Sequence, residues 1–201
     1  MVEARSTAVK NIFIKRIYSI NTFRAAIEDV FDHLDDLRAA SRGDIVDKQF
    51  SERIMLAVTQ VNGCRYCSYG HSKAALAAGL SQNEISELLA GEFASAPEDQ
   101  LTALAFAEHY AESGGSPDTA AEEKMVSTYG EEGKRHITAY IRMIMMGNLM
   151  GNTFDAMLSR IRGRPAADSS IWQELGVLLG SLVIIPVAMI RRVFSQKHGQ
   201  S

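Results

Sequence analysis

The stretch Glu52-Arg53-Ile54-Met55-Leu56-Ala57-Val58-Thr59-Gln60-Val61-Asn62-Gly63-Cys64-Arg65-Tyr66-Cys67-Ser68-Tyr69-Gly70-His71-Ser72 decides the reading of this chain. Its first half carries Ile54, Ala57, Val58 and Val61 at helical spacing, so one apolar face points at a core. Asn62-Gly63 follows, a pair suited to the left-handed backbone that stops a helix. A new helix is expected from about residue 64 to residue 78, with Gly79 as its stop. On it Cys64, Cys67 and His71 stand three and four residues apart, which sets them on one face and brings an imidazole within reach of a thiol. Cysteines at a helix start also feel the positive end of the macrodipole and its free N–H groups. Both favour the thiolate, the species that attacks a peroxide or a disulfide.

Both flanks read as helical. Phe23, Ile27, Val30, Phe31, Leu34 and Leu37 predict one helix over about 22–40, with Asn21 or Thr22 as its cap, before Gly43 and Asp44 end it. Downstream, Ser81 and Glu84 have capping-box spacing for a short helix reaching Ala90. Ser95 and Glu98 repeat the box, with Pro97 in the first turn of a helix through Leu101, Leu104, Ala105 and Phe106. Gly114-Gly115 is a loop, and Ser116-Pro117-Asp118 opens another helix. Residues 131–161 can be helical throughout, weakened by Gly147 and Gly151; Met143, Met145, Met146, Met150 and Met157 there read as core filler rather than a metal site. Only residues 12–17 hint at a strand's alternation. The expectation is an all-α fold in a single domain over 1–201, with a redox core at about 45–125 and a hydrophobic C-terminal helix at about 170–194.

At 201 residues, with 46% hydrophobic and 22% charged residues, the chain can bury a sizeable core and has no disordered or collagenous composition. A net charge of −3 gives no basic field, so nucleic acid is not an expected partner. The first residues read without a secretory signal, and the expected location is cytoplasmic. Only two cysteines occur, and a disulfide between them closes too small a loop to act as a structural staple. Two other readings stand beside the redox one: part of a zinc site, or two core cysteines beside a satisfied histidine. A structural zinc site needs four ligands, and His33, His109, His136 and His198 lie in no partner motif, so neither a metal nor a cofactor is expected. Residues 175–190 are uncharged, a run shorter than the roughly 20 residues of a spanning helix and containing Pro186. A buried or subunit-interface helix is expected there, with a membrane anchor as the lesser alternative.

The run 52–72 resembles the Glu, Cys-x-x-Cys, His signature of the alkylhydroperoxidase D-like branch of the carboxymuconolactone decarboxylase superfamily. The likeness continues through residues 78–85 and 101–110. The resemblance implies an all-α bundle of helical hairpins, homo-oligomers and a proton relay. Carried onto this sequence, it makes Cys67 the nucleophile, Cys64 the resolving thiol, His71 the base and Glu52 its orienter. It further implies a thiol-dependent peroxidase or disulfide oxidoreductase, with a hydroperoxide or small disulfide as substrate and a thiol or lipoyl-type protein as reductant. Where the peroxidase pattern has a second histidine before the nucleophile, this chain has Tyr66. Decarboxylase members of the superfamily lack the thiol pair, so Cys64 and Cys67 argue against a lactone substrate. The alternative function is a non-catalytic redox-sensing or scaffold oligomer of the same fold, which the hydrophobic C-terminal run favours.

Overall fold

Residues 48–62 form a helix enclosed on almost every side, the setting in which an apolar stripe alone does not suffice and polar residues must find buried partners. The computed structural model describes Phe13, residues 15–167 and residues 169–198, with side chains as far as Arg192. Its helices are α1 (Ile20–Asp32), α2 (Leu34–Ala40), α3 (Lys48–Asn62), α4 (Arg65–Ala78), α5 (Gln82–Ala90), α6 (Leu101–Glu112), α7 (Thr119–Ile161) and α8 (Ile171–His198). A 3₁₀ turn (Glu98–Gln100) leads into α6, and no strand occurs among the described residues, so the all-α expectation holds.

The central helix α3 packs against α4, α5, α6 and α7. Its Ile54, Leu56 and Val58 are fully enclosed, together with Ile85 and Leu88 of α5, Leu104 of α6, and Ile137 and Ile141 of α7. Burying each such side chain contributes about 1.5–3 kcal/mol, so this cluster fixes α3 within the bundle. A second, smaller cluster of Tyr18, Phe23, Ile27, Val177 and Ala188 seats α1 against α8, with Met146 and Met150 of α7 beneath it. Met143 packs on the larger cluster and Met145 lies within it, which is the core role expected of these methionines.

Several boundaries differ from the expectations. The helix predicted over 22–40 is two, broken at His33, whose Nδ1 bonds the Asp29 carbonyl oxygen at 2.8 Å and so competes with the helical ladder. Its cap is Ser19 rather than Asn21 or Thr22: Ser19 Oγ accepts from the Thr22 N–H at 3.2 Å, and Thr22 Oγ1 accepts from the Ser19 N–H at 2.9 Å. The box at Ser81 is half formed, because the Glu84 carboxylate is drawn instead to Arg53 Nε at 2.6 Å. The box at Ser95 does not form. The Ser95 N–H donates to Glu87, and the turn before α6 starts from Pro97 in an extended conformation. Gly130, with φ of 68° and ψ of 176°, kinks α7, so a straight helical segment begins at residue 131 as the sequence predicts. Of the hinted strand at 12–17, residues 12 and 14 lie outside the described residues and 15–17 form no strand.

Pro186 lies inside α8 without ending it. Leu182, whose carbonyl would meet the missing N–H, is on the outward face, where water can take that bond. On its inward face α8 is anchored by Glu174, which is fully enclosed and receives Arg160 Nε at 2.9 Å, Arg160 Nη2 at 3.0 Å and Ser169 Oγ at 2.5 Å. The outward face of 171–192 is exposed and apolar, and this stretch alone among the described residues is long and apolar enough to cross a membrane. Burial pushes the Glu174 carboxyl up, but hydrogen bonds from Arg160 and Ser169 and the charge of Arg160 outweigh it and hold the value below the usual 4.5. A lowered folded value means a stabilisation present above pH 4.5 and lost as the pH falls through that folded value. Thermal unfolding of the wild type from pH 7 downward should therefore show an extra loss of Tm below about pH 4.5 that Glu174→Gln does not show; parallel acid profiles would mean that this carboxylate does not hold α8.

Candidate redox site

The hairpin of α3 and α4 builds the site. Gly63 (φ 65°) ends α3 in the left-handed conformation, its N–H bonding the Thr59 carbonyl at 2.8 Å, and the chain reverses at once into α4. Cys64 is the N-cap of α4 rather than its first residue, and its Sγ accepts from the Cys67 N–H at 3.3 Å. The far end of the hairpin is tied by Gln49 Nε2, which donates to the Ala78 carbonyl at 3.0 Å. Folding back in this way places Glu52 of α3 beside His71 of α4, with Glu52 Oε2 2.8 Å from His71 Nδ1.

An ionised carboxylate only accepts, so Nδ1–H is the donor and Nε2 is left as the basic nitrogen. Glu52 is almost wholly enclosed, whereas His71 is a quarter exposed at its side chain. The two sulfurs are bonded to each other, with Cα atoms 5.3 Å apart. They differ in access: Cys64 is fully buried and Cys67 is half-buried. His71 stands one turn beyond Cys67 on the same helix. All four residues singled out in the sequence thus fall on this one hairpin, as a bonded sulfur pair and a bonded acid–imidazole pair. The placement of Cys64 differs from expectation only in preceding the helix instead of sharing its face.

The wall behind the disulfide comes from α7, and the sequence did not reveal it. A Cβ at Gly151 would lie 2.7 Å from Cys64 Sγ and 3.6 Å from Cys67 Sγ, so α7 meets the sulfurs at the one residue type that leaves them room. Next to it, Asn152 Nδ2 donates to the Asn62 carbonyl at 2.8 Å and to the Arg16 carbonyl at 3.1 Å, pinning the α3 stop to the segment before α1. Asn148 Oδ1 accepts from Thr59 Oγ1 at 3.1 Å one turn earlier. Tyr140 faces Glu52 from the same helix: burial first, and then the Glu52 charge, push its hydroxyl above the usual range. The only hint of this wall was the pair Gly147 and Gly151, read as weak points in a helix; a Cβ at Gly147 would meet no other part of the fold within 4 Å, so only Gly151 is a close approach.

Cations frame the mouth. Arg65 pairs with Asp155 at 2.5 Å and lies over the Tyr66 ring at 4.8 Å, while Lys15 reaches the other oxygen of Asp155 at 3.0 Å. Tyr66, in the position of the second histidine, packs against Phe154 with ring centroids 5.8 Å apart. A cavity of about 420 Å³ between α1 and α7, lined by Arg16, Tyr18, Asp29, Tyr110 and Arg142 among others, includes none of the four site residues. Among the described residues no group of three or more His, Cys, Asp or Glu could hold a metal ion, and His33 and His109 are engaged with Asp29 and Asp118.

Fold and site together define an all-helical protein with a Cys-x-x-Cys pair beside a buried Glu–His couple. Residues 28–114 match the family model described as the carboxymuconolactone decarboxylase family. The matched stretch runs from within α1 to the loop after α6, so it contains Glu52, Cys64, Cys67 and His71 but not Gly151 or Asn152. The match is consistent with the alkylhydroperoxidase D-like resemblance. No curated protein and no solved structure matches the chain.

The two glycines of α7 make a paired test. Gly147→Ala should stabilise the fold by up to about 1 kcal/mol of helix propensity, whereas Gly151→Ala should cost about 1–3 kcal/mol of overpacking against Cys64. Calorimetric unfolding of both variants checks this. Equal stabilisation by the two would remove Gly151 from the site.

Proposed function

We propose that the chain is a thiol-dependent peroxidase or disulfide oxidoreductase that cycles Cys64 and Cys67 between dithiol and disulfide. The observation that carries this is the difference between the sulfurs: Cys67 is reachable and lies one turn from an imidazole fixed by Glu52, while Cys64 is buried against Gly151. Such an arrangement suits one sulfur for attack and the other for resolution.

In the cycle, His71 Nε2 takes the Cys67 thiol proton and the thiolate attacks the distal oxygen of a hydroperoxide. The O–O bond breaks, the proton goes to the leaving alkoxide as alcohol, and Cys67 is left as a sulfenic acid. Cys64 then attacks Cys67 Sγ, water leaves and the disulfide forms, which is the state of the pair in the structure. A dithiol or thiol protein reduces it by exchange, Cys67 being the accessible sulfur. With a small disulfide as oxidant, the same thiolate attacks sulfur and the departing thiol takes the proton. Glu52 holds the His71 ring and its tautomer, and so acts through the histidine.

A second reading, a redox-sensing or scaffold oligomer without turnover, draws on the outward apolar face of α8. Turnover with an excess of reductant separates the two, since a sensor oxidises once and stops.

General-base assistance is worth about 10²–10⁴ in rate, so Glu52→Gln and His71→Phe should each slow hydroperoxide consumption by such a factor with the fold intact. Cys67→Ser should be inert, and Cys64→Ser should react once and leave a sulfenic acid on Cys67 that dimedone traps. Dimedone labelling of Cys64 in Cys67→Ser, with none in Cys64→Ser, would reverse the roles.

A further inference from the structure

The loop Gly114-Gly115, a break in the sequence that the redox chemistry does not use, closes one end of the cavity between α1 and α7. Both glycines hold positive φ, 68° and 95°. A Cβ on Gly114 would stand 3.4 Å from Arg16 Nη1, and one on Gly115 3.7 Å from the Tyr110 hydroxyl. Bare backbone thus lets a guanidinium and a phenol come close to neighbouring residues at the same end of the cavity. One face of α7 forms the floor: Arg142, Met145, Met146 and Leu149 stand at i, i+3, i+4 and i+7. Ala25 and Ala26 of α1 leave space above it. The volume, about 420 Å³, is within the range of small-molecule sites. Gly151, which backs the disulfide, lies about 200° further round α7 than Leu149, so the cavity is no part of the redox site.

The charges of the lining say what fits. They are Arg16, Arg142 and Asp29. Arg142 Nε lies 3.0 Å from Asp29 Oδ2, and these two cancel. The Arg16 guanidinium is exposed and has no hydrogen-bond or ion-pair partner among the described residues, so the lining carries one uncompensated positive charge beside an apolar floor. Burial foremost pushes the Tyr110 hydroxyl above the usual 10, against the partial offset of the Arg142 charge, so near neutral pH it stands protonated and can donate to an anion. Inorganic phosphate would exceed that single charge and leave the methionine face bare. A neutral lipid would leave Arg16 without a counter-ion. One carboxylate on an apolar chain matches both the charge and the floor.

We propose that this cavity is a second site, separate from the sulfur pair, that binds one small carboxylic acid. The carboxylate takes the Arg16 guanidinium and the Tyr110 hydroxyl, and the apolar chain lies along Met145, Met146 and Leu149.

The test uses the full chain, its methionine methyl groups labelled with carbon-13, and sodium decanoate below its micelle concentration as the probe. In NMR spectra the methyl signals of Met145 and Met146 should shift to saturation at one decanoate per chain, whereas that of Met189, on the outward face of α8, should stay in place. Arg16→Glu should weaken binding by roughly tenfold or more, through loss of a charge-assisted hydrogen bond and gain of a like charge. Arg16→Lys, which keeps the charge, should retain most of the affinity. Arg16 is exposed, so both variants should keep the wild-type circular dichroism and Tm. Decan-1-ol, with the same chain and no charge, should bind more weakly than decanoate. Unmoved Met145 and Met146 signals, equal affinity of wild type and Arg16→Glu, or decan-1-ol bound as tightly as decanoate would each overturn the proposal. A shift of Met189 in place of Met145 and Met146, lost in Leu182→Lys, would put the probe on α8 and overturn it too.

Discussion

The bond between Glu52 Oε2 and His71 Nδ1 sets the terms for the rest of the site. It joins two helices that are neighbours only because Asn62-Gly63 reverses the chain, and it places a carboxylate where burial would be costly without a partner. A second buried pair, Arg53 with Glu84, lies next to Glu52 in sequence and ties α3 to α5. The Arg53–Glu84 ion pair contributes little net stability, because desolvation offsets the attraction, but it is severe to break from one side. The effect of the two bonds is to fix how α3 sits, while the enclosed Ile54, Leu56 and Val58 supply the stabilisation that holds it there.

A site built on a hairpin needs a wall, and the wall here is α7. The family-matched segment ends at residue 114, so Gly151 against the sulfurs and Asn152 on the Asn62 carbonyl come from outside it. The same helix carries Met146 and Met150, which support α1 and α8. One rigid element thus backs the disulfide and seats the C-terminal helix. Chemistry and the outward face of α8 stay separate, since the first rests on the hairpin and the second on a helix anchored by Arg160 and Glu174.

What could be read before the structure follows what is local. Helix stops at Gly63 and Gly79 depend on glycine's freedom at positive φ, and both fall where the sequence puts them. The Cys64, Cys67 and His71 spacing needs only one helix, and Glu52 needs only the reversal before it. Side chains that act at a distance were not legible. His33 splits a helix by bonding a carbonyl of its own turn, Glu84 leaves its cap for Arg53, and Gly151 is distinguished from Gly147 only by the sulfur lying over it. The C-terminal run was recognisable as apolar, but the inward half anchored by Glu174 and the outward half left bare are visible only once α1 and α7 are in place.

The central claim is that Glu52 and His71 act together on one sulfur, Cys67. The most direct measurement is the absorbance of the thiolate near 240 nm as a function of pH, on the fully reduced full-length chain. The account predicts one thiolate per chain already present at neutral pH, retained in Cys64→Ser, diminished in Glu52→Gln and lost in His71→Phe. Two thiols ionising together at about 8.5, the value of a free cysteine, in the wild type and both relay variants alike would contradict it.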